Sequence, residues 1–121
     1  MRFTIWKEDT FDAAHYLPNV PDEHKCRNIH GHTYRIRIYV TGPIGADTGW
    51  VMDYADLKAA WAPLKAQLDH QYLNNMFLNP TCEEIAKWIW NWIDIPEPHT
   101  LERVELNETG SAGVVITEGT S

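Results

Sequence analysis

The chain has 121 residues, 44% hydrophobic and 22% charged, the balance of one folded globular domain that can bury a core without staples. Seventeen acidic residues against ten basic ones give a formal net charge of -7, which argues against a nucleic-acid or membrane-surface role, since both ask for clustered basic side chains. No apolar run approaches the roughly 18 residues of a membrane span, MRFTIWKEDT does not read as a signal peptide, and Cys26 and Cys82 are too few for a disulfide scaffold. The expectation is a soluble, cytoplasmic single domain over 1–121, with 117–121 a disordered tail.

In chain order, Arg2 to Leu17 places Phe3, Ile5, Phe11, Ala13, His15 and Leu17 on one alternating phase. That is a strand pattern, broken near Glu8–Asp9 where an irregularity is expected. Residues Leu17 to Arg27 contain two prolines and read as a loop. Thr33 to Thr41 alternates cleanly, with Tyr34, Ile36, Ile38 and Val40 on the face expected to be buried. A Gly/Pro/Asp turn follows, then a short strand over Trp50–Met52. Asp53 is placed as the N-cap of a helix carrying Leu57, Ala60, Trp61, Leu64 and Leu68 at helical spacing, with Pro63 as a kink inside it. Thr81-x-x-Glu84 has the capping-box pattern and opens a second helix, whose stripe is Ile85, Trp88, Ile89 and Trp92. The tryptophans there read as core. Val104, Leu106 and Glu108 share a face of the next strand, and Val114–Ile116 is a short apolar run. The order β-β-α-α-β-β implies an α+β fold, an antiparallel sheet with helices on one face.

The strongest chemical signal is Cys26-Arg-Asn-Ile-His30-Gly-His32. Residues two apart in a strand project to the same face, and His32 is in phase with Tyr34 and Ile36. His15 has the same inward phase on the preceding strand. Three convergent neutral imidazoles with no fourth protein ligand match a catalytic zinc site, whose open position takes water or substrate. Cys26 has several readings: a base or nucleophile with a lowered pKa, a small buried hydrophobe, or a fourth ligand that would make the zinc structural. In that last case the domain would be a zinc-stabilised binding module. His24 reads as solvated and Cys82 as packing. Asp69 and His70 are adjacent, and neighbours in a helix do not face each other, so a hydrogen-bonded pair would need an irregular helix end. Glu108 points inward with no local partner; a ligand offering paired N–H donors would satisfy it.

Five blocks stand in order: Phe11-x-Ala-Ala-His15, Cys26-x-x-x-His30-Gly-His32-x-Tyr34, Leu68-Asp-His70, Pro80-Thr81-x-Glu83 and Glu108-Thr109. In them the chain resembles the 6-pyruvoyl-tetrahydropterin synthase superfamily over about Phe3 to Glu118. The three-residue gap between Cys26 and His30 is similar to the bacterial branch that makes 6-carboxy-5,6,7,8-tetrahydropterin in the queuosine pathway. The resemblance implies a tunnelling fold: a four-stranded antiparallel sheet with two helices on one face, closed into a barrel by oligomerisation, as a homohexamer built from two trimers with sites between subunits. It implies Zn2+ on His15, His30 and His32, Cys26 as base, a relay of Asp69 and His70 contributed largely by a neighbouring subunit, and Glu108 as pterin anchor. The implied reaction is a lyase step on 7,8-dihydroneopterin triphosphate, losing triphosphate and acetaldehyde. A pyruvoyl-forming or folate-route side-chain lyase would use the same residues. Thr81 is a further implied substrate contact, and Lys25 and Arg27, flanking Cys26, are the candidates for the phosphates.

Overall fold

The computed structural model describes residues 1–118. Its elements are β1 (Arg2–His15), β2 (His30–Pro43), α1 (Tyr54–Leu68), β3 (Gln71–Tyr72), α2 (Cys82–Trp92), β4 (Thr100–Thr109) and β5 (Ala112–Thr117), with single turns of 3-10 helix at Lys25–Arg27 and Leu73–Asn75. They build one open sheet in the order β3-β1-β2-β4-β5. The four long strands are antiparallel, as expected. A fifth strand, β3, is added to them; it is two residues long and runs parallel to β1 at Ala13 and Ala14. Its signal is too short for periodicity to register.

Both helices pack on one face of this sheet. Toward them the strands turn Phe11, Ala13, Tyr34, Ile36, Ile38, Val40, Val104 and Leu106, all buried. α1 answers with Leu57, Trp61, Leu64 and Leu68, and α2 with Cys82, Ile85, Ala86 and Ile89. Each fully buried Leu or Ile contributes about 1.5–3 kcal/mol relative to exposure. The opposite face is polar: Arg37 lies 4.3 Å over the Trp6 ring and 2.8 Å from Glu8.

Asp53 caps α1 by accepting from the Ala55 N–H at 2.9 Å, and Thr81 caps α2 by accepting from the Glu84 N–H at 3.1 Å. The reciprocal half of the capping box is absent, because the Thr81 N–H donates instead to Asn79. Pro63 lies within α1, which nevertheless runs unbroken from Tyr54 to Leu68.

Several expectations are corrected. β1 pairs with β2 in one register from Arg2↔Pro43 to His15↔His30, with no irregularity at Glu8–Asp9. Asp9 keeps the inward phase because α1 supplies it with partners, the Trp61 indole N–H at 2.9 Å and the Lys65 ammonium at 3.1 Å. Trp50–Met52 is not a strand, although Val51 and Met52 are buried. Of the tryptophans only Trp61 is fully buried; Trp92 is 68% exposed, and small residues at Cys82 and Ala86 take the core face of α2 instead. Thr117, placed in the tail by composition, ends β5, where it pairs with Arg103; residues 119–121 lie outside the described residues.

Candidate active site

The end of β1 and the start of β2 create the site. His15 sits directly across from His30 in the ladder, and His32 is across from Ala13. Residues 13 and 15, like 30 and 32, point to one side of the pleat, so antiparallel pairing brings three imidazoles together under the helices. Their ring centroids are 4.6 to 5.2 Å apart, and one nitrogen from each lies within 4.8 Å of the others. Beneath them Phe11 stacks on Tyr34 at 4.8 Å, and the Tyr34 hydroxyl comes within 3.4 Å of His15 Nδ1. Burial raises the Tyr34 pKa, so the phenol stays protonated.

The proton positions follow from the neighbours. His15 Nδ1 donates to the Pro80 carbonyl at 2.7 Å, and His30 Nδ1 donates to the Asn28 carbonyl at 2.7 Å. A carbonyl only accepts, so Nδ1 carries a hydrogen in both rings, and in the neutral imidazole Nε2 is the nitrogen that keeps its lone pair. His15 is fully buried and its Nε2 has no hydrogen-bond partner, which ordinarily costs about 1–3 kcal/mol. Burial pushes the pKa of His15 down, with His30 and His32 adding to the effect and the Pro80 contact and Glu108 opposing it. His32 is lowered as well, first by burial and then by His30, against the pull of Glu108. Neutral imidazoles with oriented, unshared lone pairs are what a zinc ion requires, so this donor set fits the metal.

Glu108 stands at the register break between Asn107 and Thr109, where β4 and β5 slip. Such a bulge re-aims a side chain. Gly113 makes the slip possible: a Cβ there would lie 2.5 Å from the Leu106 carbonyl oxygen. The carboxylate of Glu108 reaches His15 Nε2 at 3.3 Å and His32 Nε2 at 3.6 Å. These imidazoles lie more than 75 positions upstream and are adjacent only through the sheet; with both rings held toward the neutral form by burial they give the carboxylate no donor, so its need for a ligand with N–H groups stands.

Cys26 lies on the 3-10 turn Lys25–Arg27 and is half-buried. Its N–H donates to His24 Nδ1 at 3.1 Å, and its carbonyl accepts from the Leu17 N–H at 2.7 Å. His24 is exposed as expected, but it also caps the turn that carries the thiol. The Cys26 sulfur is outside the set of ligand atoms formed by His15, His30 and His32, which weighs against a four-ligand structural site. Cys82 packs in the core as expected, its thiol donating to the Leu106 carbonyl at 3.3 Å and pushed up to about 12 by burial. Of the basic residues flanking Cys26, Lys25 is exposed. Arg27 is engaged within its own loop, donating to the Pro18 carbonyl at 2.7 Å and pairing with Asp22 at 3.2 Å. The Thr81 hydroxyl caps α2 one residue beyond the carbonyl that holds His15.

Asp69 and His70 do form a pair within the chain, with His70 Nδ1 at 3.0 Å from Asp69 Oδ2. α1 ends at Leu68, Asp69 is extended, and His70 adopts a left-handed φ of 60°. That irregular end lets adjacent side chains meet. β1 holds the turn in place: the Asp12 N–H donates to Asp69 Oδ1 at 2.9 Å, and the His70 N–H donates to the Asp12 carbonyl at 2.6 Å. The Asp12 hydrogen bond is the main reason the Asp69 carboxyl is held below its ordinary pKa, with His70 and Lys65 assisting against desolvation. The ring of His70 is 77% exposed. It borders an open cleft of about 560 Å³ on the polar face of the sheet, together with Asp12, Gly31, His32 and Tyr72. Sequence reasoning did not find the carbonyls of Pro80 and Asn28, nor the backbone of Asp12, because main-chain groups carry no residue signal.

Comparison with known proteins places the chain in a family. The family described as 6-pyruvoyl tetrahydropterin synthase matches residues 4–119. A 6-carboxy-5,6,7,8-tetrahydropterin synthase from Synechocystis sp. is 44% identical over 111 residues, covering 84% of each chain. A dihydroneopterin monophosphate aldolase from Pyrococcus furiosus is 35% identical over 118 residues, covering 96% of this chain and 98% of its own. The structure of Caenorhabditis elegans 6-pyruvoyl tetrahydropterin synthase superposes with a TM-score of 0.85 at 24% identity, over 98% of this chain and 97% of its own. The chain belongs to the 6-pyruvoyl tetrahydropterin synthase family.

Proposed function

We propose that the protein is a zinc-dependent lyase that converts 7,8-dihydroneopterin triphosphate and one water to 6-carboxy-5,6,7,8-tetrahydropterin, releasing triphosphate and acetaldehyde in the queuosine route. The observation that carries this reading is the convergence of His15, His30 and His32 beneath Glu108, in a chain 44% identical to a relative bearing that synthase name.

His15, His30 and His32 would hold zinc through ring nitrogens, His15 and His30 through Nε2. When bound, the metal supplies Lewis-acid polarisation of the substrate's side-chain hydroxyls. Cys26 as thiolate removes the side-chain proton. His70 moves a second proton at Nε2, since its Nδ1 is committed to Asp69. Glu108 accepts from the exocyclic amine and ring N–H of the pterin, a paired charge-assisted contact. It already lies 3.3 Å from His15 Nε2 and is only 29% exposed, so a pterin held by this carboxylate would stand beside the three imidazoles. Thr81 is assigned to the substrate as well, and Lys25 to the phosphates; Arg27 would first have to leave Pro18 and Asp22. The exposed ring of His70 suits a relay offered to a second copy of the chain, in a hexamer of two trimers with sites at the interfaces.

A second reading is favoured by the aldolase relative, which aligns with 96% of the chain: cleavage of a dihydroneopterin side chain at the same site. The deciding experiment incubates zinc-loaded protein with 7,8-dihydroneopterin triphosphate, reduced and oxygen-free, and identifies the pterin by mass. A 6-carboxy product with acetaldehyde supports the first reading. A hydroxymethyl or pyruvoyl product moves the reaction, and no turnover by zinc-loaded protein rejects the substrate.

A further inference from the structure

The segment from Asp69 to Tyr72 is bonded to β1, and Asn74 is bonded to Tyr16 just past its end. Asp69 and His70 take the N–H and C=O of Asp12, and Gln71 and Tyr72 pair with Ala13 and Ala14. The side-chain amide of Asn74 completes the ladder. Its Oδ1 accepts from the Tyr16 N–H at 2.9 Å, and its Nδ2 donates to the Tyr16 carbonyl at 3.0 Å. A primary amide presents a donor and an acceptor in one plane, as a peptide group does. Asn74 therefore serves Tyr16 as another strand residue would.

Tyr16 occupies a junction. It directly follows His15, and the next residue, Leu17, donates to the carbonyl of Cys26 at 2.7 Å. The stacked rings of Tyr16 and Tyr72, 6.4 Å between centroids, brace the same point. One side chain thus fixes the place where the imidazole cluster, the turn bearing the thiol and the Asp69–His70 segment meet.

We propose that Asn74 is a positioning residue for the reaction, setting the Cys26 turn against the three imidazoles without touching substrate. This rests on the lyase reading above. Asn74→Ala removes both hydrogen bonds; Asn74→Asp keeps the acceptor and loses the donor; Asn75→Ala, in the same turn, is the control. Steady-state turnover of 7,8-dihydroneopterin triphosphate, melting curves, and iodoacetamide labelling of Cys26 in the metal-free protein are measured on all three. A misplacement of about 1 Å costs on the order of 100-fold in rate, so Asn74→Ala is expected to lower kcat by about 10- to 100-fold with KM within about twofold. Asn74→Asp keeps the acceptor for the Tyr16 N–H but turns a carboxylate oxygen toward the Tyr16 carbonyl, so it is expected to lose at least as much as Asn74→Ala. Local release of the turn makes Cys26 label at least about threefold faster in Asn74→Ala, while buried Cys82 stays unlabelled and Asn75→Ala behaves as wild type. The proposal is overturned if Cys26 labels at the wild-type rate in Asn74→Ala, or if the fall in kcat equals the loss of folded protein at the assay temperature. Absence of turnover in wild type would reject the lyase reading instead, and the labelling contrast between Asn74→Ala and Asn75→Ala would still decide whether Asn74 positions the thiol.

Discussion

Nε2 of His15 lies 3.3 Å from Oε1 of Glu108, an approach between a fully buried imidazole whose lone pair is unshared and a carboxylate that β4 delivers from a bulge. The two groups divide the labour of the proposed site. The imidazole has no proton on the facing nitrogen to give, and the carboxylate has only acceptors, so each awaits a third party: a cation for the ring and N–H donors for the acid.

His30→Ala removes one of the three nitrogens while leaving His15 and the core beneath it in place. Losing an outer-shell partner of a ligand costs about 10- to 100-fold in metal affinity, and losing the ligand itself is expected to cost at least that much. Zinc competition against a chromophoric chelator measures it. Zinc affinity equal to wild type would remove His30 from the ligand set.

Cys26→Ser separates catalysis from structure. With the thiol outside the imidazole set, the variant is expected to keep its zinc and its melting temperature while turnover falls by about 10²- to 10⁴-fold, the usual share of a general base. Metal analysis and a thermal melt read the two halves independently. Release of zinc together with unfolding would restore the structural-zinc module.

Glu108→Gln keeps the shape of the side chain and removes the charge. A hydrogen bond to a charged group contributes about 1.5–3 kcal/mol, so KM for the pterin substrate is expected to rise by roughly 10- to 100-fold with zinc retained. Isothermal titration with a non-reactive pterin gives the same quantity without turnover. Wild-type pterin affinity would mean that the carboxylate anchors something else.

Asp9 supplies a pH prediction. Burial alone would raise its pKa, but the Thr10 N–H, Lys65 and the Trp61 indole together hold it below the ordinary 3.8. A carboxyl whose folded pKa is depressed stabilises the fold above its unfolded value and loses that contribution as pH falls through the folded one. Asp9→Asn is therefore expected to be less stable than wild type at pH 7, by about 1 kcal/mol for a disrupted part-buried hydrogen-bond set. The gap narrows below about pH 3.8. Urea titrations at pH 7 and pH 3 check both parts, and a gap that stays constant between them would count against the ionised pair.

Much of the molecule was legible from residues alone where one physical rule acted over a long stretch. The alternation of Tyr34, Ile36, Ile38 and Val40 located a strand with a single buried face, and the inward phase of His15 and His32 placed them together once the strands were adjacent. The Asp53 and Thr81 caps were readable because capping is local chemistry between a side chain and a backbone three residues away at most. Elements of two residues, such as β3, were not readable, and neither was the exposure of Trp92, because which face of α2 is buried depends on what α2 packs against.

By itself the sequence determined the α+β class, the candidate ligands and their shared face, since periodicity and residue chemistry are carried by the chain. Only the tertiary structure decided that Asp9 is met by α1, that Glu108 stands beside the imidazoles, that Asp69 and His70 pair at a left-handed turn, and that Cys26 stands apart from the imidazoles. Those outcomes hang on groups distant in sequence, on backbone carbonyls that every residue possesses, and on a bulge whose position follows from how two strands slip past one another.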